Sequence, residues 1–134
     1  MRKLVDTMVW AASVNRRSPH HGEAREVIRS GGIVTFPNVL LELYNVLTED
    51  YGMDGQTASS LVREISMRVE VRPVGWPEVE EALRIAAGEG IRVFDALILA
   101  EALLHGLDLV TFDRRLRRAW GRLRRSVRWR GPGA

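Results

Sequence analysis

Short apolar runs recur along this chain at spacings wide enough to hold a helix, and that alternation restricts the fold more than any other feature. Lys3-Leu4-Val5-Asp6, Ile33-Val34-Thr35-Phe36, Val69-Glu70-Val71-Arg72 and Leu107 to Thr111 read as strands. The intervening stretches read as helices. A short one begins near Met8, and another runs from His20 to Ser30, stopped by Gly31-Gly32. Pro37 suits the first turn of a helix reaching about Tyr51, closed by Gly52, and Asp54 can cap the next, Gly55 to about Met67. Glu78 to about Ala87 follows Pro77 and ends at Gly88 and Gly90; Asp95 to His105 ends at Gly106; Arg114 to Trp120 is basic. Ser126-Val127-Arg128-Trp129 is expected as a short last strand. Strands joined through helices need crossover connections, which produce parallel sheets covered on both faces. The expectation is one doubly wound α/β domain over residues 1–134, with a mainly parallel four- to five-stranded sheet flanked by helices.

Composition narrows the chemistry. A chain of 134 residues can bury a core of its own. It has no cysteine, which excludes disulfides, zinc–thiolate sites and thiol catalysis, and fits a reducing, cytoplasmic setting. No apolar run approaches the roughly 18 residues of a membrane span. Met1-Arg2-Lys3-Leu4-Val5 imitates the start of a signal peptide, but Asp6 interrupts it, so secretion is not expected. The net charge of +3 conceals an asymmetry: residues 114–134 hold nine arginines and no acid, whereas residues 1–113 carry eleven basic and seventeen acidic residues. Arginine's planar fork grips phosphate and stacks on bases, so a basic segment at about 114–130 with Trp120 and Trp129 points to nucleic acid. The plainer alternative is a solvated helix.

Four acids stand among apolar neighbours. Asp6 ends the first strand, Asp113 follows Leu109-Val110-Thr111-Phe112, Glu42 interrupts Val39-Leu40-Leu41-Glu42-Leu43, and Asp95 opens Asp95-Ala96-Leu97-Ile98-Leu99-Ala100. A buried unpaired charge is costly, and a shared divalent cation is one remedy. In open parallel sheets, sites form beyond the carboxyl ends of strands, where Asp6 and Asp113 lie. Capping is the alternative for Asp95 and Asp113. Glu42 falls at the border of the apolar helix face made by Phe36, Val39, Leu40, Leu43, Val46 and Leu47, and Asp6 is the acid least readily explained by turn chemistry. His20, His21 and His105 lie away from the strand ends in this reading, and metal-assisted hydrolysis needs no histidine or serine nucleophile.

These residues carry a resemblance. Val5-Asp6-Thr7, Glu42 within Phe36-Pro37-Asn38-Val39-Leu40-Leu41-Glu42, Phe94-Asp95-Ala96-Leu97-Ile98-Leu99-Ala100 and Leu109-Val110-Thr111-Phe112-Asp113-Arg114-Arg115-Leu116 resemble, in order and spacing, the PIN-domain ribonucleases used as VapC-type toxins. The likeness runs from about residue 3 to 118. It implies a PIN-like doubly wound sandwich in which Asp6, Glu42, Asp95 and Asp113 bind Mg2+ or Mn2+, with Asp6 and Asp95 the central ligands and Thr7 and Thr111 supporting them. It further implies endonucleolytic hydrolysis of RNA leaving a 5′-phosphate and a 3′-hydroxyl, a homodimer, and a small antitoxin protein as partner. Arg114, Arg115, Arg117, Arg118, Arg122, Arg124 and Arg125 would follow the RNA backbone. Met8 departs from the family, which commonly has a polar residue there, often Asn.

Other readings are weaker on the residues. A receiver domain wants an acidic pair after its first strand and a late lysine, yet Lys3 is the only lysine. A phosphatase with an Asp-x-Asp pair lacks its second acid, because Asp6 is followed by Thr7-Met8. Metal-free cleavage would call on His20 and His21, but adjacent helical residues do not face each other. The main rival is a non-catalytic nucleic-acid-binding protein of the same fold with a decayed metal site, and Met8 is the feature that favours it.

Overall fold

A computed structural model describes residues 2–129, with side chains to residue 126. The elements are β1 (Lys3–Val5), α1 (Thr7–Val14), α2 (His21–Arg29), β2 (Ile33–Thr35) and α3 (Pro37–Asn45), extended by a π-helical turn, Val46–Asp50. Then come α4 (Gly55–Arg68), β3 (Glu70–Val71), α5 (Trp76–Glu89), α6 (Val93–His105), β4 (Asp108–Val110) and α7 (Arg114–Trp129). The strands form one parallel sheet in the order β3-β2-β1-β4. Leu4 pairs with Val34 on one side and Leu109 on the other. The chain thus builds outward from β1 through β2 to β3, then returns across α5 and α6 to lay β4 against the opposite side of β1. The reversal falls between β1 and β4, which opens a crevice beyond their carboxyl ends.

Both faces of the sheet are covered, so the strands are apolar without alternation: Leu4, Val5, Ile33 and Val34 are all buried. Helix α6 runs through the centre, and every residue from Ala96 to Ala102 is buried. A helix apolar on all sides is a core helix, and full burial of a side chain such as Leu99 contributes about 1.5–3 kcal/mol. Gly90 and Gly106 take left-handed conformations that end α5 and α6.

Several expected boundaries move. Ser126–Trp129 is the last turn of α7 and not a strand, so the sheet has four strands among the described residues. Leu116, Ala119 and Trp120 form a buried stripe at helical spacing, with Leu123 packed against the core, and a helix continuing that stripe satisfies its own backbone. Gly88 lies within α5, because the left-handed turn is made at Gly90. Helix α6 starts at Val93, which makes Asp95 its third residue and not its cap. The expected Trp129 side chain and the end of the basic segment from residue 130 lie outside the described residues.

Candidate active site

Asp6 follows β1 directly, and its own N–H donates to the Val110 carbonyl of β4 at 2.9 Å, which pins it over the crevice. It is also the N-cap of α1: its Oδ1 accepts the Thr7 N–H at 2.8 Å. Turn chemistry therefore does explain part of Asp6, contrary to the sequence expectation, because α1 begins one residue earlier than its pattern suggested. The other oxygen, Oδ2, accepts the Thr111 hydroxyl at 2.8 Å. The same hydroxyl accepts the Asp113 N–H at 3.1 Å. Thr111 thus joins the carboxylate after β1 to the backbone after β4.

Asp113 is exposed and caps α7, accepting the N–H groups of Arg115 and Leu116 at 2.9 and 3.2 Å. Asp95 projects from the first turn of α6, where a carboxylate is favoured by the helix N-terminus. It lines a cleft of about 200 Å3 with Asp113, Arg92 and Arg115. Glu42 is half-buried on α3.

Electrostatics tie these groups together. Burial raises the Asp6 carboxyl above its usual range; the Thr111 and Thr7 hydrogen bonds pull it back, and Asp95 and Asp113 push it up again. Burial likewise raises Glu42, reinforced by Asp6 and Asp95 and opposed by Arg92. Asp95 is raised by burial, then lowered by Arg92, raised by Asp113 and lowered by Arg115. Asp6 and Asp95 are therefore the central pair, each coupled to both outer acids. Like charges held at one crevice favour protons or a cation among them. Among the described residues, no three Asp, Glu, His or Cys side chains are close enough to hold one ion by themselves. Mg2+ does not require that, since it usually takes one or two carboxylates and keeps waters and substrate oxygens. The donors are hard oxygens, and Thr7, next to Asp6 in the chain, has a buried Oγ1 without a hydrogen-bond partner among the described residues, so the residues fit such an ion.

A match to the PIN domain family spans residues 3–121. The chain belongs to the PIN-domain family. Among solved structures, this PIN domain is similar to VapC20 of Mycobacterium tuberculosis, a sarcin–ricin-loop-cleaving toxin. The TM-score is 0.76 at 25% identity, covering 87% of this chain and 93% of that one. It also resembles the DNA-bound VapBC of Salmonella typhimurium (TM-score 0.68, 21% identity, 89% and 93% covered). A toxin–antitoxin complex from Klebsiella pneumoniae aligns with a TM-score of 0.65 at 20% identity, covering 83% and 86%. A comparison with curated proteins finds no match. The expected family and the α/β fold are thereby established.

Not every expected site residue faces the PIN crevice freely. Arg117 donates to the Thr111 carbonyl at 2.7 Å. Arg122 pairs with Glu89, and Arg124 reaches Asp108 at 3.5 Å while lying over the Trp120 ring. Arg114, Arg115, Arg118 and Arg125 make no ion pair among the described residues. The turn between α1 and α2 returns His20 onto Phe112, ring centroids 4.5 Å apart, so this histidine stands nearer Asp113 than its position in the chain suggested.

Two groups escaped the sequence reading. Arg92 opposes the charge of both Glu42 and Asp95; its signal was a basic residue just before Phe94-Asp95. Glu101, 0% exposed within α6, accepts the Asn38 Nδ2 at 3.2 Å and so ties α6 to α3 one turn before Glu42. A larger cavity, about 590 Å3, lies at the opposite ends of the strands, between Trp10, Val14, Ile28, Leu61 and Ile65. Its only acid is Glu70, so volume does not mark the chemical site here.

Proposed function

We propose that this chain is a Mg2+- or Mn2+-dependent endoribonuclease, a single PIN nuclease domain over residues 1–134, and the toxin of a cytoplasmic toxin–antitoxin pair. The observation that carries the reading is the electrostatic coupling of Asp6, Glu42, Asp95 and Asp113 at the switch point between β1 and β4. Asp6 and Asp95 would hold the ion, with Glu42 and Asp113 at its flanks. A divalent ion there supplies a more acidic bound water and neutralises charge on the phosphate. The chain's own residues orient the rest. Thr111 fixes the Asp6 carboxylate and the start of α7, Thr7 turns its N–H to the same carboxylate, and Arg92 and Arg115 offer guanidinium forks for phosphate.

The unpaired arginines of α7 extend a basic surface from the crevice, suited to an RNA backbone or to an acidic antitoxin segment. The likeness to VapBC and other toxin–antitoxin complexes supports a small antitoxin protein as partner. A homodimer is part of the proposal, and the apolar surface of Pro37, Leu40, Tyr44, Val62 and Val71 is what it would cover. Among the described residues, no helix is long and apolar enough to cross a membrane.

Met8, 47% exposed beside Asp6 and Thr7, favours a second reading, in which the domain binds nucleic acid without cutting it. One experiment separates the two. Purified protein is incubated with structured and single-stranded RNA in Mg2+, Mn2+ or EDTA beside Asp95→Asn, and product ends are mapped. Metal-dependent cleavage leaving 5′-phosphates, reduced at least a hundredfold in Asp95→Asn, is the expected result. RNA binding without cleavage in either metal would favour the second reading. Cleavage that survives both EDTA and the substitution would overturn the assignment of the acids.

A further inference from the structure

Phe94 is 60% exposed, a large apolar side chain that neither core packing nor the proposed dimer face explains, and Leu41, 69% exposed, borders both that face and this one. With Asn38, Glu42, Asn45 and Arg92 they line a cavity of about 330 Å3. Asn38, Leu41, Glu42 and Asn45 repeat at the spacing of one helical face, so α3 supplies one wall. Arg92 and Phe94, at the start of α6, supply the other. Glu42 belongs at once to this cavity and to the group of coupled acids. Arg92 lines both this cavity and the cleft that holds Asp95, Asp113 and Arg115. One guanidinium therefore stands where the two cavities adjoin, with carboxylates on one side and an open aromatic face on the other.

That combination suits a nucleotide. A planar base stacks on an exposed aromatic ring, an amide reads its polar edge, and a guanidinium holds the phosphate that follows. A membrane-facing patch or a small apolar ligand would have no use for the guanidinium of Arg92, the amide of Asn45 and the carboxylate of Glu42 that line the cavity with Phe94.

We propose that this cavity is a nucleobase subsite of the nuclease, seating the base next to the scissile phosphate of a single-stranded RNA. The inference rests on the nuclease reading above and deepens it. Phe94 is the stacking face, Asn45 the hydrogen-bonding edge, and Arg92 the phosphate contact that joins the subsite to the carboxylates. Bases in a duplex are already stacked, so the subsite selects single-stranded or looped RNA.

The test is binding by the full chain in EDTA. The probes are four decaribonucleotides, each of one base, and a fifth with abasic residues at its centre. The wild-type chain is expected to prefer at least one base-bearing probe to the abasic one. Phe94→Leu should weaken that probe on the order of tenfold and leave the abasic probe unchanged, and Phe94→Trp should restore the preference. Equal effects on both probes, or no preference in the wild-type chain, would overturn the subsite. So would a Phe94→Leu variant that sediments as a monomer where the wild type is a dimer while keeping its base preference, since a second copy would then occupy this face. Cleavage measured separately keeps the two claims apart. Metal-dependent cutting without a base preference leaves the nuclease standing and removes the subsite, whereas a base preference without cutting does the reverse.

Discussion

Replacing Glu101 with glutamine is expected to stabilise this protein, and increasingly so as pH rises. Glu101 is fully buried between Ala100 and Ala102, with the Asn38 amide its only side-chain hydrogen-bond partner among the described residues. Asn38 Oδ1 and Glu101 Oε2 are both buried without a partner among the described residues, and a protonated carboxyl supplies the donor that two bare acceptors lack. Burial, with some help from Glu78 of α5 and against the Asn38 hydrogen bond, pushes the carboxyl from 4.5 up to about 8. Below pH 4.5 the group is protonated folded or unfolded, and no stability is lost. Between about 4.5 and 8 the unfolded chain releases the proton while the folded chain keeps it, so stability falls by about 1.4 kcal/mol per pH unit. Above about pH 8 both states are ionised and the loss stops, near 5 kcal/mol in all as an order of magnitude. Glutamine keeps a donor and an acceptor for Asn38 and has no proton to lose. Urea unfolding of both proteins from pH 5 to 9 reads the difference directly, since titrating groups that do not interact with Glu101 cancel in it. The variant should match the wild type near pH 5 and exceed it by several kcal/mol at pH 8. A difference that does not change with pH would refute a neutral Glu101.

Two further outcomes test the site. Thr111→Val keeps the side chain's shape but leaves a buried Asp6 oxygen and the Asp113 N–H without their partner. It should cost about 1–3 kcal/mol by urea unfolding and lower any cleavage rate, and unchanged stability would mean that the Thr111 link is not formed. Joint replacement of Arg114, Arg118 and Arg125 by alanine should flatten the salt dependence of single-stranded RNA binding by up to about two units of logarithmic slope. Arg122→Ala, whose guanidinium already pairs with Glu89, should change that slope less, and an equal effect would contradict the sorting of the arginines.

Much of this architecture is written locally. The β1, β2 and β4 runs are apolar because both faces of their sheet are covered, and helices between them leave a parallel sheet as the solution. Pro37, Gly90 and Gly106 mark helix ends because each meets a backbone requirement within a few residues. The four candidate acids stood out for the same reason: a carboxylate directly after an apolar strand, or inside an apolar helical run, contrasts with its neighbours. Where local signals competed, the sequence misled, as with Ser126–Trp129, whose short apolar-basic pattern fits a strand until Leu116, Ala119 and Trp120 are seen to carry α7 past it.

Proximity was the part no local pattern holds. That Thr111 bonds to Asp6 across a separation of 105 residues follows from β4 returning to the free side of β1. The start of α6 sets Arg92 against both Glu42 and Asp95, while the return of β4 brings Phe112 onto His20, and Arg117, Arg122 and Arg124 are taken up by contacts within the chain. Glu101 was invisible because a glutamate in a helix ordinarily faces water, and only the packing of α6 on all sides removes that choice. Residue type and spacing decided which elements form and which groups could do chemistry; the order of strands in space decided which of those groups meet, because charge and hydrogen bonding act over a few ångströms and not along the chain.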